Sequence, residues 1–155
     1  MPHIHDLIDF TVGALIVYDG RVCLVHHREL GLWVTPGGHI ELDEDPDQAL
    51  WREIEEETGL RPDDLEILSE RSHTPGDDGA QPLYVPRWMN IHSISPGHRH
   101  IVFDHVFRSK TDRLRLADGE HHEIRWFSST ELDDPALKIP KELRFYAKEA
   151  IRLAA

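Results

Sequence analysis

The sequence predicts a mixed β-sheet covered by helices, which is an α+β or α/β fold. Two observations favour this class. Predicted strands outnumber predicted helices, and the two clear helices interrupt the strands without alternating regularly with them. The chain of 155 residues is long enough for one domain with a real core. No repeat, low-complexity tract or linker divides it, so we expect a single domain over residues 1–155.

The first part of the chain is predicted to form short strands. An apolar, β-branched run at 10–18 is followed by Asp19-Gly20 and by a second apolar run at 21–27. Two such runs joined by Asp-Gly predict a β-hairpin. A third strand is predicted at 32–35, and we interpret Pro36-Gly37-Gly38 as the turn that ends it.

Residues 46–58 carry a complete set of helix signals. Asp45 suits the N-cap, Pro46 suits the first helical position, and Gln48 can close a capping box with Asp45. Gly59 suits the left-handed conformation that follows a helix end. We therefore predict a helix from Pro46 to Thr58.

The rest of the chain is predicted to contain further strands and one more helix. Residues 74–86 are rich in Gly, Pro and Asp, which is typical of an exposed loop. The last helix is predicted to begin at Pro140 and to end near Leu153. The strands predicted in this part lie at 65–69, 83–85, 88–94, 101–107 and 124–127.

Composition excludes several classes of protein. The formal net charge of −12 argues against tight, nonspecific binding to nucleic acid or to an anionic membrane, since both need a basic surface. No apolar run is long enough to span a bilayer, and the first residues lack the pattern of a signal peptide. We therefore expect a cytoplasmic protein without membrane partners. Cys23, the only cysteine, lies in an apolar run and is expected to be buried in the core.

Carboxylates are concentrated at the end of the first predicted helix. Residues 52–60 read Arg-Glu-Ile-Glu-Glu-Glu-Thr-Gly-Leu. A helix C-terminus carries partial negative charge, so each acidic side chain there costs about 0.3–1 kcal/mol. Glu53, Glu56 and Glu57 also share one helical face, where like charges repel. This pattern indicates a functional site, whose natural partner is a hard divalent cation such as Mg²⁺ or Mn²⁺.

The spacing around these glutamates makes the prediction specific. The positions that carry a defined spacing are Gly38, Glu44, Arg52, Glu53, Ile54, Glu56, Glu57, Gly59 and Leu60. This set resembles the Nudix box of the Nudix hydrolases at every defined position of that motif. A looser resemblance covers about residues 8–135.

The resemblance implies both a fold and an activity. The fold is a Nudix-like α/β/α sandwich with a central mixed sheet, in the α/β class. The activity is metal-dependent hydrolysis of the pyrophosphate in a nucleoside diphosphate derivative such as ADP-ribose, with Mg²⁺ or Mn²⁺ as cofactor. The partner is then a small nucleotide, without nucleic acid, and a homodimer is compatible with the family.

The resemblance also implies roles for individual residues. The arginine that corresponds to Arg52 holds the glutamate that corresponds to Glu44, and we count Glu56 with them as catalytic. One departure is Asp43, at a position where many members carry glycine. It adds a carboxylate near the site or only a solvated loop charge. The metal ligands implied by the resemblance are Gly37 through its carbonyl, Glu53, Glu56 and Glu57.

The general base often lies outside the box in this family, on a late loop. Glu120 and Glu123 are the candidates, although both also fit a solvated polar loop. Asp104 is a weaker candidate, because it falls in the middle of a predicted strand.

The chain contains 12 histidines, and some have spacings found in metal sites. His98-x-His100 and Asp104-His105 can each place ligands for a transition metal on a strand. A dedicated zinc site needs three or four ligands, and the sequence does not reveal such a set. Surface residues or contacts with substrate phosphate are the alternatives.

Two further hypotheses stand beside the hydrolase. A nucleotide-binding sensor on the same fold would need no intact carboxylates, so the complete set argues against it. A plain acidic protein with solvated glutamates would not be stabilised by divalent metal. RNA decapping, which is known in the family, fits poorly with a net charge of −12 and no basic stretch.

Overall fold

The computed structural model describes residues 3–71, 79–117, 119 and 121–155, which form a sheet with helices on both faces. The strands are β1 (Ile8–Tyr18), β2 (Arg21–His27), β3 (Trp33–Val34), β4 (Gly37–His39), β5 (Leu65–Ile67), β6 (Trp88–Ser95), β7 (His98–Ser109) and β8 (His121–Ser128). The helices are α1 (Pro46–Thr58) and α2 (Lys141–Leu153), with 3₁₀ turns at Pro62–Asp64 and Glu131–Asp133.

The sheet is mixed because its two longest strands run parallel. β1 pairs with β7 in parallel, from Ile8 opposite Arg99 to Val17 opposite Arg108. Around this pair, β1 is antiparallel to β2 and β4, and β7 is antiparallel to β5 and β6. β2 is antiparallel to β3 and β8. A parallel pair needs a crossover connection, and the segment that contains α1 provides it.

Each helix covers one face of the sheet. On the α1 face, Leu50 of α1 packs with Ile16 of β1. On the α2 face, Ala150 of α2 packs with Leu15 of β1. All four side chains are fully buried, and the neighbours Leu15 and Ile16 diverge because successive strand residues point to opposite faces. The predicted α/β/α sandwich with a central mixed sheet is therefore confirmed.

Most of the predicted elements are confirmed, although several extend further than predicted. α1 has the predicted limits, and Asp45 and Gln48 form the predicted capping box. β7 begins three residues before the predicted strand at 101–107, and β8 begins at His121 rather than at Ile124. Cys23 is fully buried, as expected. No helix in the described part of the chain has the length and apolar character needed to cross a membrane.

Two local predictions are wrong. Gly37 and Gly38 do not form a turn but belong to β4, where Gly38 pairs with Val12 of β1. A Cβ at Gly37 would collide with the backbone carbonyl of Val12, so only glycine permits this pairing. The strand predicted at 83–85 is reduced to an isolated bridge between Tyr84 and Arg71. Of the predicted loop 74–86, residues 74–78 lie outside the described residues, and 79–86 contain no strand or helix.

Candidate functional site

The acidic face of α1 packs against β4. Glu53 and Glu57 are buried, with only 8% and 7% of their surface exposed. The backbone N–H of Gly37 donates a 3.3 Å hydrogen bond to Oε2 of Glu57. The side chain of Glu56, on the same helical face, is 59% exposed. We call Glu53, Glu56 and Glu57 the glutamate cluster, which lies at the junction of α1 with β4.

Arg52 organises the entrance to this cluster. Its Nη2 and Nε donate hydrogen bonds of 2.5 Å and 3.0 Å to the two carboxylate oxygens of Glu44. Its Nη1 contacts Glu53 at 2.8 Å and Glu56 at 3.3 Å. Nη2 also donates to the carbonyl of His39 in β4, at 3.0 Å. One guanidinium therefore ties the loop before α1, the helix itself and β4 together.

Gly38 makes room for the carboxylate of Glu53. A Cβ at Gly38 would collide with all three carboxylate atoms of Glu53. Gly38 pairs with Val12, whose side chain belongs to the core on the α1 face. The glycine pair therefore has two separate functions, since Gly37 permits the strand pairing and Gly38 permits the approach of the helix carboxylate.

The electrostatics of the cluster favour a bound cation. Burial raises the pKa of Glu53 to about 8, and the negative charges of Glu57 and Glu56 add to this rise despite the contact with Arg52. Hydrogen bonds from Arg52 lower the pKa of Glu44, so that this carboxylate stays ionised. A cation relieves the repulsion among buried carboxylates and stabilises their charged form. An oxygen-only donor set suits a hard ion, so these residues fit Mg²⁺ or Mn²⁺.

His121 of β8 is a site residue that the sequence prediction missed. Its Nε2 lies 3.1 Å from Oε2 of Glu57, an ion-pair distance outside hydrogen-bond geometry, and the residue is 4% exposed. A β-bulge explains why His121 rather than Glu123 approaches the glutamate cluster. Glu123 lies opposite His26 whereas His121 lies opposite His27, so the two residues face opposite sides of the sheet.

The candidates for the general base differ in their position relative to Glu57. The register of β8 places Glu123, which is exposed, on the α2 face, away from Glu57. Glu120 lies outside the described residues. Asp104 lies beside Gly13, where its Oδ1 occupies the space of the missing side chain. Gly13 precedes Ala14 of the core on the α1 face, so Asp104 also lies on the α2 face.

The remaining acidic residues near the box have simpler surroundings. Glu55 is half exposed, and its carboxylate accepts a 3.1 Å hydrogen bond from Nη1 of Arg61. Asp43 is exposed on the loop before α1. The structure thus brings Glu53, Glu56 and Glu57 together and leaves Glu55 outside the cluster.

Comparison with known proteins assigns a family to this arrangement. A family model described as the NUDIX domain matches residues 8–148. The chain belongs to the NUDIX hydrolase family. This confirms the resemblance inferred from the box and the prediction that the protein is an enzyme. The match extends well beyond the box itself, through β1 and into α2.

Similar proteins agree with the family. An RNA pyrophosphohydrolase of Pseudoalteromonas translucida is 44% identical over 125 residues, which cover 76% of this chain and 69% of that protein. A MutT-like protein of Streptomyces ambofaciens is 38% identical over 60 residues, or 39% of this chain, and the match spans only 38% of that relative's length. The crystal structure of a NUDIX hydrolase from Clostridium perfringens is 28% identical, with a TM-score of 0.79 over 95% of this chain and 98% of that one.

Proposed function

We propose that this NUDIX hydrolase cleaves the pyrophosphate linkage of a nucleoside diphosphate derivative, such as ADP-ribose, with the help of Mg²⁺ or Mn²⁺. The observation that carries the proposal is the convergence of Glu53 and Glu57, both buried, on the two glycines of β4. A protein gains nothing in stability by burying like charges at a helix end, so a cationic ligand gives the arrangement a reason.

Each residue of the site then has a defined part. Glu53, Glu56 and Glu57 hold the divalent cation, with the backbone of Gly37 beside them. When bound, such an ion neutralises phosphate oxygens and lowers the pKa of water, so that hydroxide is available at neutral pH. Water gives up a proton to the general base as its oxygen adds to one phosphorus atom, the anhydride P–O bond breaks, and the other phosphate leaves as an anion.

Arg52 and Glu44 position the cluster rather than react. The two-pronged contact between them fixes the guanidinium plane, and the same group then holds Glu53 and Glu56. Neighbouring carboxylates raise the pKa of Arg52 above its already high ordinary value, so it stays charged throughout catalysis. For the general base we propose Glu120, the sequence neighbour of His121, with Glu123 as the alternative.

The decisive experiment pairs a nucleotide panel with matched variants. The panel contains ADP-ribose, dinucleoside polyphosphates, sugar nucleotides and nucleoside triphosphates, each with Mg²⁺ and with Mn²⁺, and products are resolved to identify the broken bond. We expect Glu57→Gln to abolish hydrolysis while the fold is retained. Glu55 lies two residues before Glu57 in α1, but its carboxylate pairs with Arg61. Glu55→Gln is therefore the control and should keep full activity. Full activity in Glu57→Gln would contradict the metal site.

Two alternatives are decided by the same panel. A non-catalytic nucleotide sensor would release no product but would gain thermal stability with a nucleotide. RNA pyrophosphohydrolase activity has support in the name of the Pseudoalteromonas relative, whereas the net charge of −12 argues against a nucleic acid substrate. A 5′-triphosphorylated RNA oligonucleotide belongs in the panel for this reason.

We propose a homodimer on the family resemblance alone, and sedimentation measures the oligomeric state.

A further inference from the structure

A second group of metal-ligating side chains surrounds Asp9, on the α2 face of the sheet. The carboxylate of Asp9 is fully buried. Its Oδ2 lies 3.3 Å from Nδ1 of His3, 3.2 Å from Nε2 of His98 and 3.8 Å from Nε2 of His100. We call these four residues the histidine cluster, and their four ligand atoms all lie within 4.8 Å of one another.

We propose that the histidine cluster binds one transition-metal ion of the Zn²⁺ class, separate from the hard cation of the glutamate cluster. Three imidazoles and a carboxylate suit zinc, whereas Mg²⁺ prefers oxygen ligands. Zinc bonds to nitrogen and oxygen of about 2.0–2.2 Å place neighbouring tetrahedral ligands about 3.3–3.5 Å apart. The distance of 3.3 Å from Asp9 to His3 already has this length, and the distance of 3.2 Å from Asp9 to His98 is slightly shorter.

The surroundings of the cluster orient its ligands. Nδ1 of His98 lies 3.1 Å from the carbonyl of Asp6, which leaves Nε2 directed at Asp9. The second carboxylate oxygen of Asp9 accepts a 2.6 Å hydrogen bond from the backbone N–H of His5. Such contacts, which fix the ring tautomer and the carboxylate plane, are typical of residues that ligate metal.

His100 provides an independent sign of a missing partner. It is the register partner of Asp9 in the parallel pair of β1 with β7. Its Nε2 is buried and has no hydrogen-bond partner among the described residues, and 3.8 Å is too long for a hydrogen bond to Asp9. Buried polar atoms are nearly always satisfied, and a cation between His100 and Asp9 would satisfy this nitrogen.

The position of the cluster indicates a structural role. His3 precedes β1, Asp9 lies in β1, and His98 and His100 lie in β7, so one ion would join three parts of the chain. His39 of β4 lies with its Nε2 3.0 Å from the same oxygen of Asp9, and its carbonyl accepts a hydrogen bond from Arg52. The ion would therefore stabilise the strand on which the glutamate cluster rests.

Metal content and thermal stability test this proposal on the whole protein. After growth with zinc, we expect the purified wild-type protein to hold one zinc ion per chain by elemental analysis. Removal by a chelator should lower Tm, and Zn²⁺ or Co²⁺, but not Mg²⁺, should restore it. Bound Co²⁺ should give the absorption spectrum of a four-coordinate ion.

Two ligand variants and two controls localise the ion. His98→Asn/His100→Asn should hold no zinc, and its Tm should not respond to Zn²⁺. His3→Asn removes a ligand from outside the sheet, with a side chain 43% exposed, so it should fold and still lose zinc. His92→Asn, a histidine of β6 outside the cluster, and Glu57→Gln should both retain zinc.

The outcomes separate clearly. A wild-type protein that neither holds zinc nor changes Tm with Zn²⁺ would overturn the proposal and leave the cluster as a proton-sharing hydrogen-bond network. Zinc retained in both ligand variants would also overturn it. Zinc lost in Glu57→Gln would place the ion in the glutamate cluster instead.

Discussion

At the scale of single residues, Glu53 shows how the site conflicts with local preference. The last turn of α1, which the structure describes in full, contains no basic residue, although cations are favoured there. Burial next to Glu57 raises the pKa of Glu53 further. Arg52 offsets part of the repulsion between the carboxylates. A bound cation would offset the remaining repulsion. The unusual glutamates at the helix end in the sequence and the raised pKa of Glu53 in the structure thus have one cause, which is the burial of crowded carboxylates.

Asp104 supports a prediction about pH. Burial raises its pKa from 3.8 to about 7, so the folded state keeps a proton that the unfolded chain releases. Stability attributable to this group is therefore present at low pH and falls as pH rises through about 4 to 7. In Asp104→Asn the fall should be smaller, by up to about 4 kcal/mol, since one pKa unit is about 1.4 kcal/mol. Urea unfolding at pH 4, 6 and 8 measures it.

The control for this prediction is Asp43→Asn, because Asp43 is exposed on a loop. Its curve of stability against pH should follow that of the wild type. Parallel curves for wild type and Asp104→Asn would mean that Asp104 titrates normally in the folded protein.

At the scale of elements, the bulge at the start of β8 decides which side chains reach the glutamate cluster. Regular alternation would place His121 and Glu123 on the same face of the strand. The shift between His26 and His27 in the register with β2 instead turns His121 toward Glu57 and Glu123 away from it. Bulges often occur next to active sites for this reason.

This geometry predicts different effects for two conservative substitutions in β8. His121→Gln should lower kcat/KM by about 10–100-fold, the range for residues that orient a metal ligand. The kcat/KM of Glu123→Gln should stay within about threefold of the wild-type value, because Glu123 is turned away from the glutamate cluster. Loss of a general base would instead lower kcat/KM by about 10²–10⁴-fold. Steady-state kinetics with the preferred substrate and circular dichroism provide the readouts. A loss of 10²-fold or more in Glu123→Gln would identify it as the base instead of Glu120.

At the scale of the whole molecule, the glutamate cluster concentrates negative charge on a well-packed part of the fold. The net charge of −12 makes the compact state self-repulsive, and in the glutamate cluster the charges of Glu56 and Glu57 act on Glu53. The scaffold holds this cluster between α1 and β4, over the same core in which α1 packs on β1. Local repulsion is thus opposed by burial of apolar side chains beneath it.

Divalent cations should therefore stabilise the fold specifically. A cation present at about 100 times its Kd adds about 2.7 kcal/mol to the free energy of unfolding. Each added kcal/mol raises Tm by about 2–4 °C in a chain of this size. We expect Mg²⁺ to raise Tm by about 5–10 °C on this basis. NaCl at equal ionic strength controls for general screening and should raise it much less. Equal shifts with Mg²⁺ in wild type and Glu57→Gln would refute specific binding.

Local sequence determined a large part of this protein. The limits of α1 followed from Asp45, Pro46 and Gly59, because caps act within one helical turn. The spacing of the box was equally local, since Glu53 and Glu57 lie one turn apart on one helix. The glutamate cluster could therefore be predicted, and the resemblance of the box implied the family and the sandwich fold.

Only the tertiary structure decided what depends on strand register. It paired Gly38 with Val12, turned His121 rather than Glu123 toward Glu57, and brought His98 to Asp9. These contacts join residues far apart in the chain. A shift of one residue in register moves every side chain to the other face, and no local pattern specifies that choice. The glutamate cluster was readable from one helix, whereas the histidine cluster exists only after β1 and β7 have paired.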